Sequence, residues 1–229
     1  MKIEILHDAA AAAREAARHI AAAAREAVVA RGKFVFAVSG GRTPWEMLRD
    51  LTREDIPWKC LHLCQVDERI APADDPDRNL THLKESLLLS VPLPQEQLHA
   101  MPVEASNLEA GAAQYALMLQ QIAGRPPVLD LAHLGLGPDG HTASLTPRDP
   151  VLNVIDRDVA TTGVYQGRRR MTLTYPILDR SRRILWLVTG SDKRDALRRL
   201  REGDRSIPAG RVRQENAIIL ADRAAANAP

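Results

Sequence analysis

Short apolar runs recur along the chain and are separated by longer polar or amphipathic segments. Their lengths, about four to eight residues, are typical of strands that a sheet buries. The polar segment 67–78 directly follows one of these runs and is predicted to form a loop. The pattern predicts strands at residues 34–38, 61–66, 129–136, 171–174, 184–188 and 217–220.

Segments with helical character lie between most of these runs. Residues 8–31 are rich in alanine, which favours helix formation, and they end at Gly32, a residue type common just after helices. Thr43, the proline after it and Glu46 have the spacing of a helix start, with Thr43 as the capping residue. We predict further helices that begin at Asn79 or cover residues 108–122 and 192–201.

Because strands alternate with helices through most of the chain, we predict an α/β fold with a mainly parallel sheet, in a single domain over residues 1–229. The carboxyl ends of parallel strands lie along one edge, and ligands bind there. Three loops, which follow Val38, Val66 and Leu136, are therefore expected to converge on one edge of the sheet.

The first of these loops, residues 39–43, is called the glycine loop below. Gly40 and Gly41 allow a sharp turn and a close approach of the backbone to a ligand. The free N–H groups and the dipole of the following helix favour an anion, and Ser39, Arg42 and Thr43 add donors. The loop lacks the Lys of a P-loop and the third glycine of a dinucleotide site. A phosphate fits it, although a plain strand-to-helix turn is the alternative.

The loop after the strand at 129–136 contains several glycines and a proline just before His141; residues 135–144 are called the histidine loop. A histidine with an acid such as Asp139 two residues away can act as an oriented general base. The alternative is a structural histidine in a turn that Gly140 helps to form. His133 lies inside an apolar run and is interpreted as a core histidine that either has satisfied hydrogen bonds or is held by packing.

Further charged residues follow other predicted strands. Asp67, Glu68 and Arg69 come directly after a strand and form either part of a site or a surface ion-pair cluster. Arg170 is followed at alternate positions by Thr172 and Thr174, which should share its face of a strand, so an anion or a sugar could contact all three. Lys193 falls in the predicted first turn of a helix, where the dipole disfavours a cation, and a bound phosphate would remove that conflict.

Composition excludes several functional classes. The formal net charge is only +2 and aromatic residues make up 3% of the chain, so we expect no nucleic-acid interface. The sequence contains no run of about 18 apolar residues, so we expect no membrane span. The amino-terminal residues Lys2 and Glu4 are unlike a secretory signal, and we expect a cytoplasmic protein.

Cys60, His62 and Cys64 alternate along one predicted strand, so their side chains would share a face. Structural zinc sites usually take cysteines from turns and need a fourth ligand. We therefore interpret these residues as part of a packed strand rather than as a metal site.

Taken together, these motifs resemble the 6-phosphogluconolactonase family. The resemblance implies a Rossmann-like α/β fold with helices on both faces of the sheet, and hydrolysis of 6-phospho-D-glucono-1,5-lactone in the pentose phosphate pathway. It also implies that no metal or other cofactor is needed. The matching blocks are SGGRTP (39–44), DERIAPADDPDRN (67–79), GLGPDGHTASLTP (135–147), RMTLTYPIL (170–178) and VTGSDKRDAL (188–197).

The resemblance also implies roles for individual residues. His141 would be the general base with Asp139 beside it, and Arg69 would lie near the lactone. The glycine loop would bind phosphate together with Arg170 and Lys193. Other residues expected close to the site are Asp67, Glu68, Asn79 and Gly140.

Two departures from the family pattern are visible, and two alternative functions remain. Arg78 stands where the family often has Ser, and Thr146 where it often has Phe. An amino-sugar-6-phosphate deaminase/isomerase typically has Glu at the position of Thr146 and Tyr at that of Arg69. A non-catalytic sugar-phosphate sensor would need a helix-turn-helix module, for which one long helix before residue 34 leaves no room. We expect a monomer or a weak homo-oligomer.

Overall fold

A computed structural model describes residues 1–227. Its main sheet has seven strands in the order β1-β10-β9-β6-β2-β3-β5, and all neighbouring strands are parallel. These strands are β1 (Lys2–Leu6), β2 (Phe34–Val38), β3 (Leu61–Gln65), β5 (Leu98–His99), β6 (Leu131–Leu134), β9 (Ile184–Val188) and β10 (Ala217–Asp222). The predicted parallel α/β architecture is confirmed.

A second, antiparallel sheet has the order β4-β8-β7 and is called the small sheet. Its strands are β4 (Asp67–Arg69), β7 (Val159–Thr161) and β8 (Arg170–Leu173). The prediction that residues 67–78 form only a loop is therefore wrong at its start. Three polar residues carry no apolar pattern, and they become a strand because β8 supplies the hydrogen-bonding partner.

Helices cover both faces of the main sheet. They are α1 (Ala9–Arg31), α2 (Arg42–Leu51), α3 (Asn79–Ser86), α4 (Leu108–Ala123), α5 (Tyr175–Arg180), α6 (Arg194–Arg201) and α7 (Arg223–Ala226). Alternate residues of β2 enter opposite cores: Phe34 and Phe36 pack with α1 and α2, whereas Val35 and Ala37 pack on the side of α4 to α6. This is the side-chain alternation expected of a strand buried on both faces.

Helix α1 begins and ends as the sequence predicts. The Asp8 side chain accepts a hydrogen bond from the N–H of Ala11 at 2.8 Å, and Gly32 ends the helix in the left-handed region with φ of 74°. Such caps satisfy backbone groups that a helix end leaves free. Fully buried alanines bring α1 close to the sheet and to α2.

Two other helix starts differ from prediction. Helix α2 begins at Arg42 with Gly41 in the cap position, so Thr43 lies inside the first turn and is not the cap. Residues Ser191–Lys193 form a 3-10 turn and α6 begins only at Arg194. Lys193 therefore precedes the helix instead of lying in its first turn. Among residues 1–227, no helix combines the length and apolar character that crossing a bilayer requires.

Candidate active site

A cleft of about 640 Å³ opens at the carboxyl edge of the main sheet. The glycine loop, the histidine loop and the segment after β9 line it, and the small sheet adds residues from β4 and β8. The expected convergence of distant loops is thus present. Of the residues singled out from the sequence, those that line the cleft are Ser39, Gly40, Gly41, Arg42, Thr43, Asp67, Arg69, Asn79, His141, Arg170 and Lys193.

The glycine loop is shaped by close contacts that larger residues would prevent. A Cβ atom on Gly40 would lie 2.0 Å from Asn79 Oδ1, and Gly41 has a φ of 130°. No side chain caps α2, so the N–H groups at its start face the cleft without an internal acceptor from a capping residue. The Thr43 and Thr189 hydroxyl oxygens are 2.6 Å apart and join this loop to the segment after β9.

Ser39 and His133 support the glycine loop from below. The Ser39 hydroxyl donates to the His133 carbonyl oxygen at 3.0 Å, and the Ser39 N–H donates to His133 Nδ1 at 3.4 Å. Burial lowers the pKa of His133 to about 3, so the ring is neutral. His133 is a core residue, as predicted, and because its Nε2 has no hydrogen-bond partner within residues 1–227, it is the packing alternative that describes it.

His141 and Asp139 form a close pair in the histidine loop. His141 Nδ1 lies 2.6 Å from Asp139 Oδ1, and the His141 backbone N–H donates to the same oxygen at 3.2 Å. The hydrogen bond from His141 holds the pKa of Asp139 well below its usual range, and the carboxylate is ionised. Because Nδ1 is engaged, Nε2 is the ring nitrogen left for a ligand in the cleft.

Two glycines of the histidine loop make this pair possible. A Cβ atom on Gly137 would lie 2.0 Å from His141 Nδ1, so the ring packs directly over the bare backbone. Gly140 has a φ of 81°, and a Cβ there would lie 2.5 Å from Ile207. Gly140 thus shapes the turn and, like Asp139, does not itself line the cleft.

Tyr165 contacts both members of this pair, although the sequence does not predict it as a site residue. Its hydroxyl donates to Asp139 Oδ2 at 3.0 Å and lies 3.4 Å from His141 Nδ1. Its ring meets the His141 ring edge-on and lies 5.0 Å from Cζ of Arg170. Tyr165 is a single aromatic residue in the loop between β7 and β8, and no spacing or motif in the sequence distinguishes it.

Two arginines face the cleft from the small sheet. Arg69 and Arg170 are direct cross-strand partners on β4 and β8. Arg69 donates to the Asp77 carbonyl oxygen and to Asn79 Oδ1, at 2.9 and 2.6 Å. Nε of both arginines is buried without an acceptor among residues 1–227, and burial lowers the pKa of Arg170. Guanidinium groups with unused donors attract an anion.

Glu68 and Asp67, the other acidic residues at this edge of the main sheet, have different structural roles. Glu68 is fully buried and accepts hydrogen bonds from the backbone N–H groups of Asn79 and Leu80, at the start of α3. It stabilises that helix end and does not line the cleft. Asp67 lines the cleft and accepts a hydrogen bond from Ser144 at 2.6 Å.

Of the remaining residues predicted to contact a ligand, one lines the cleft and two do not. Lys193 lines the cleft, with Nζ 2.9 Å from a carboxylate oxygen of Asp192. Thr172 is buried and accepts from the Ser144 N–H, and Thr174 donates to the Arg157 carbonyl oxygen. Neither threonine lines the cleft, so the expectation that both share a ligand with Arg170 is wrong.

The cysteine–histidine trio does not form one cluster. Cys60 lies in a 3-10 turn before β3, burial raises the pKa of Cys64 to about 12, and His62 Nδ1 lies 3.1 Å from His99 Nε2. Within residues 1–227, one group of three side chains has metal-ligand spacing, and none of its members lines the cleft. It consists of Glu4, Glu15 and His19.

The parallel sheet with helices on both faces and a ligand cleft at its carboxyl edge places the chain in the class of Rossmann-like α/β proteins. Residues 7–220 match the model of the family described as glucosamine-6-phosphate isomerases/6-phosphogluconolactonase. The chain belongs to this family.

Individual relatives agree with that assignment. The chain is 40% identical over 176 residues to a 6-phosphogluconolactonase of Synechocystis sp., which covers 75% of this chain and 73% of the relative. It is 36% identical over 238 residues to a 6-phosphogluconolactonase of Mycobacterium tuberculosis, covering 98% of this chain and 96% of the relative. The crystal structure of 6-phosphogluconolactonase from Thermotoga maritima is similar with a TM-score of 0.85 at 26% identity, covering 96% of this chain and 98% of that one.

Proposed function

We propose that this protein hydrolyses 6-phospho-D-glucono-1,5-lactone to 6-phosphogluconate, a step of the pentose phosphate pathway. The names of its relatives support this reaction. The observation that carries the proposal is that the His141–Asp139 pair and an anion-attracting loop meet at one cleft. A phosphorylated ester requires both a base and an anion site.

The phosphate end of the substrate would bind at the glycine loop. The backbone N–H groups at the start of α2 supply donors, and the helix dipole favours the negative charge. Lys193 and Arg170 supply positive charge, and Arg69 reaches the same loop through Asn79.

The lactone end would lie beside His141. Nε2 takes a proton from a water molecule as the water oxygen bonds to the lactone carbonyl carbon. Asp139 is ionised and holds the ring through Nδ1, so it stabilises the imidazolium that forms. A positioned base contributes about 10²–10⁴-fold to the rate. Because a lactone is an activated ester, no covalent nucleophile is required.

The tetrahedral intermediate then collapses. Positive charge from Arg69 in the cleft stabilises its oxyanion. The bond from the former carbonyl carbon to the ring oxygen breaks, and the imidazolium of His141 returns its proton to that oxygen. The product is the open-chain acid, and His141 is again neutral for the next turnover.

The deaminase/isomerase activity of the same family is the less supported alternative. Its ring-opening step would need a carboxylate where this chain has Thr146. That residue is buried and does not line the cleft. Residues 141–147 contain no carboxylate that could replace it.

A direct assay tests the proposal. The purified chain is mixed with freshly generated lactone in weak buffer, and proton release is followed with a pH indicator after the spontaneous rate is subtracted. We expect enzymatic release that His141→Ala lowers at least about a hundredfold and that His19→Ala, a histidine change outside the cleft, does not affect. Ammonia release from glucosamine 6-phosphate, with no lactone hydrolysis above the spontaneous rate, would instead establish the alternative.

A further inference from the structure

We infer that Tyr165 is a positioning residue that couples the catalytic pair to the cationic side of the cleft, an inference that rests on the proposed function. Its hydroxyl holds Asp139, and its ring holds Arg170. One side chain thereby fixes the distance between the base and a positive charge. No family motif recognised in the sequence includes this residue.

The backbone holds Tyr165 in a defined position beside the His141–Asp139 pair. Tyr165 and Arg168 exchange backbone hydrogen bonds across a two-residue turn, with positive φ at Gln166 and Gly167. Such turns connect paired strands tightly. The Arg168 side chain pairs with Asp75 and Asp77 and ties the turn to the segment after β4. The phenol is therefore held between two anchored segments.

The hydroxyl acts on His141 through Asp139. Burial and the Asp139 carboxylate raise the pKa of Tyr165, so the phenol keeps its proton. The hydroxyl therefore donates a hydrogen bond to Asp139 Oδ2. The other carboxylate oxygen, Oδ1, contacts His141. With a donor on each oxygen, the carboxylate plane cannot rotate freely, and the imidazole keeps one orientation in the cleft.

The ring acts on Arg170. The guanidinium carbon lies 5.0 Å from the ring centroid, which is within the range of a cation–π interaction. Arg170 has a weak hydrogen bond of 3.5 Å to Ser144, and its Nε has no acceptor among residues 1–227. The ring of Tyr165 therefore adds support, beside the nearby Asp67 carboxylate, for a cation that protein hydrogen bonds hold only loosely.

The two contacts are separable by mutation. Tyr165→Phe keeps the ring and removes the hydroxyl, so we expect kcat to fall about threefold to tenfold with little change in KM. In an Asp139→Ala background the same change should have no further effect, because the hydroxyl has lost the group through which it acts. Tyr165→Ala also removes the ring and should weaken 6-phosphogluconate binding about threefold to tenfold relative to Tyr165→Phe.

Steady-state kinetics of the wild type, Tyr165→Phe, Asp139→Ala and the double variant test the role of the hydroxyl. Calorimetric binding of 6-phosphogluconate to Tyr165→Phe and Tyr165→Ala tests the role of the ring. Thermal unfolding checks that each variant is folded. An equal loss of kcat from Tyr165→Phe with and without Asp139, or no loss at all, overturns the hydroxyl role. Equal binding by Tyr165→Phe and Tyr165→Ala overturns the ring role. A wild-type protein without lactonase activity refutes the proposed function instead, and the binding comparison still decides the role of the ring.

Discussion

Gly137→Ala offers a direct test of how strictly His141 must be placed. The added Cβ would lie 2.0 Å from His141 Nδ1 and 2.7 Å from Asp139 Oδ1, so the ring must retreat by about 1.4 Å to reach ordinary contact. Misplacement of a catalytic group by about 1 Å costs about a hundredfold in rate. We expect kcat to fall by about that factor, which corresponds to about 2.7 kcal/mol of activation free energy.

Steady-state kinetics of lactone hydrolysis measure this effect, and KM should change much less, because the glycine loop is untouched. Gly135→Ala is the matched control: the same methyl group is added in the same loop, but its Cβ would have no atom within 4 Å. Gly135 lines the cleft, so the added methyl group can change KM, but we expect this control to retain its kcat. If Gly137→Ala turns over within about threefold of wild type, His141 is not a base whose position limits the reaction.

Three further predictions concern the base, the anion site and acid stability. His141→Ala should lower kcat at least about a hundredfold while calorimetric binding of 6-phosphogluconate stays near normal; near-normal turnover would refute its role. Lys193→Ala should mainly raise KM, and an unchanged KM would exclude a phosphate contact. Burial lowers the pKa of His99 from 6.5 to about 4, so the unfolded chain binds more protons between these values and stability falls as pH drops through them. His99→Gln should make the free energy of unfolding, measured with urea at several pH values, depend less on pH in this range. The same pH dependence as in the wild type would contradict the prediction.

Much of the main sheet could be predicted because strands buried on both faces are continuous apolar runs. Phe34–Val38 and Ile184–Val188 were predicted with their observed bounds. Strand β1 was missed because exposed residues interrupt it, and β5 because it has only two residues. Strand β7 of the small sheet, with three residues, is also too short to give a periodic signal.

The site could be predicted as far as local motifs reach. The glycine and histidine loops carry their signal within a few residues, and both line the cleft. The task of Glu68 depends on the start of α3, which lies about eleven residues further along the chain and approaches only after folding. Tyr165 is 26 residues from Asp139 and lies on the turn between β7 and β8, so the two residues meet only in the folded chain.

The cross-strand pairing of Arg69 with Arg170 places two like charges opposite each other in a short sheet. Like charges directly opposite each other repel, so this strand pair is less stable than one with neutral residues at the same positions. Neutral residues at these positions would strengthen the empty protein and weaken its hold on an anion. In the small sheet, higher thermal stability and tighter binding of an anion would therefore require opposite substitutions.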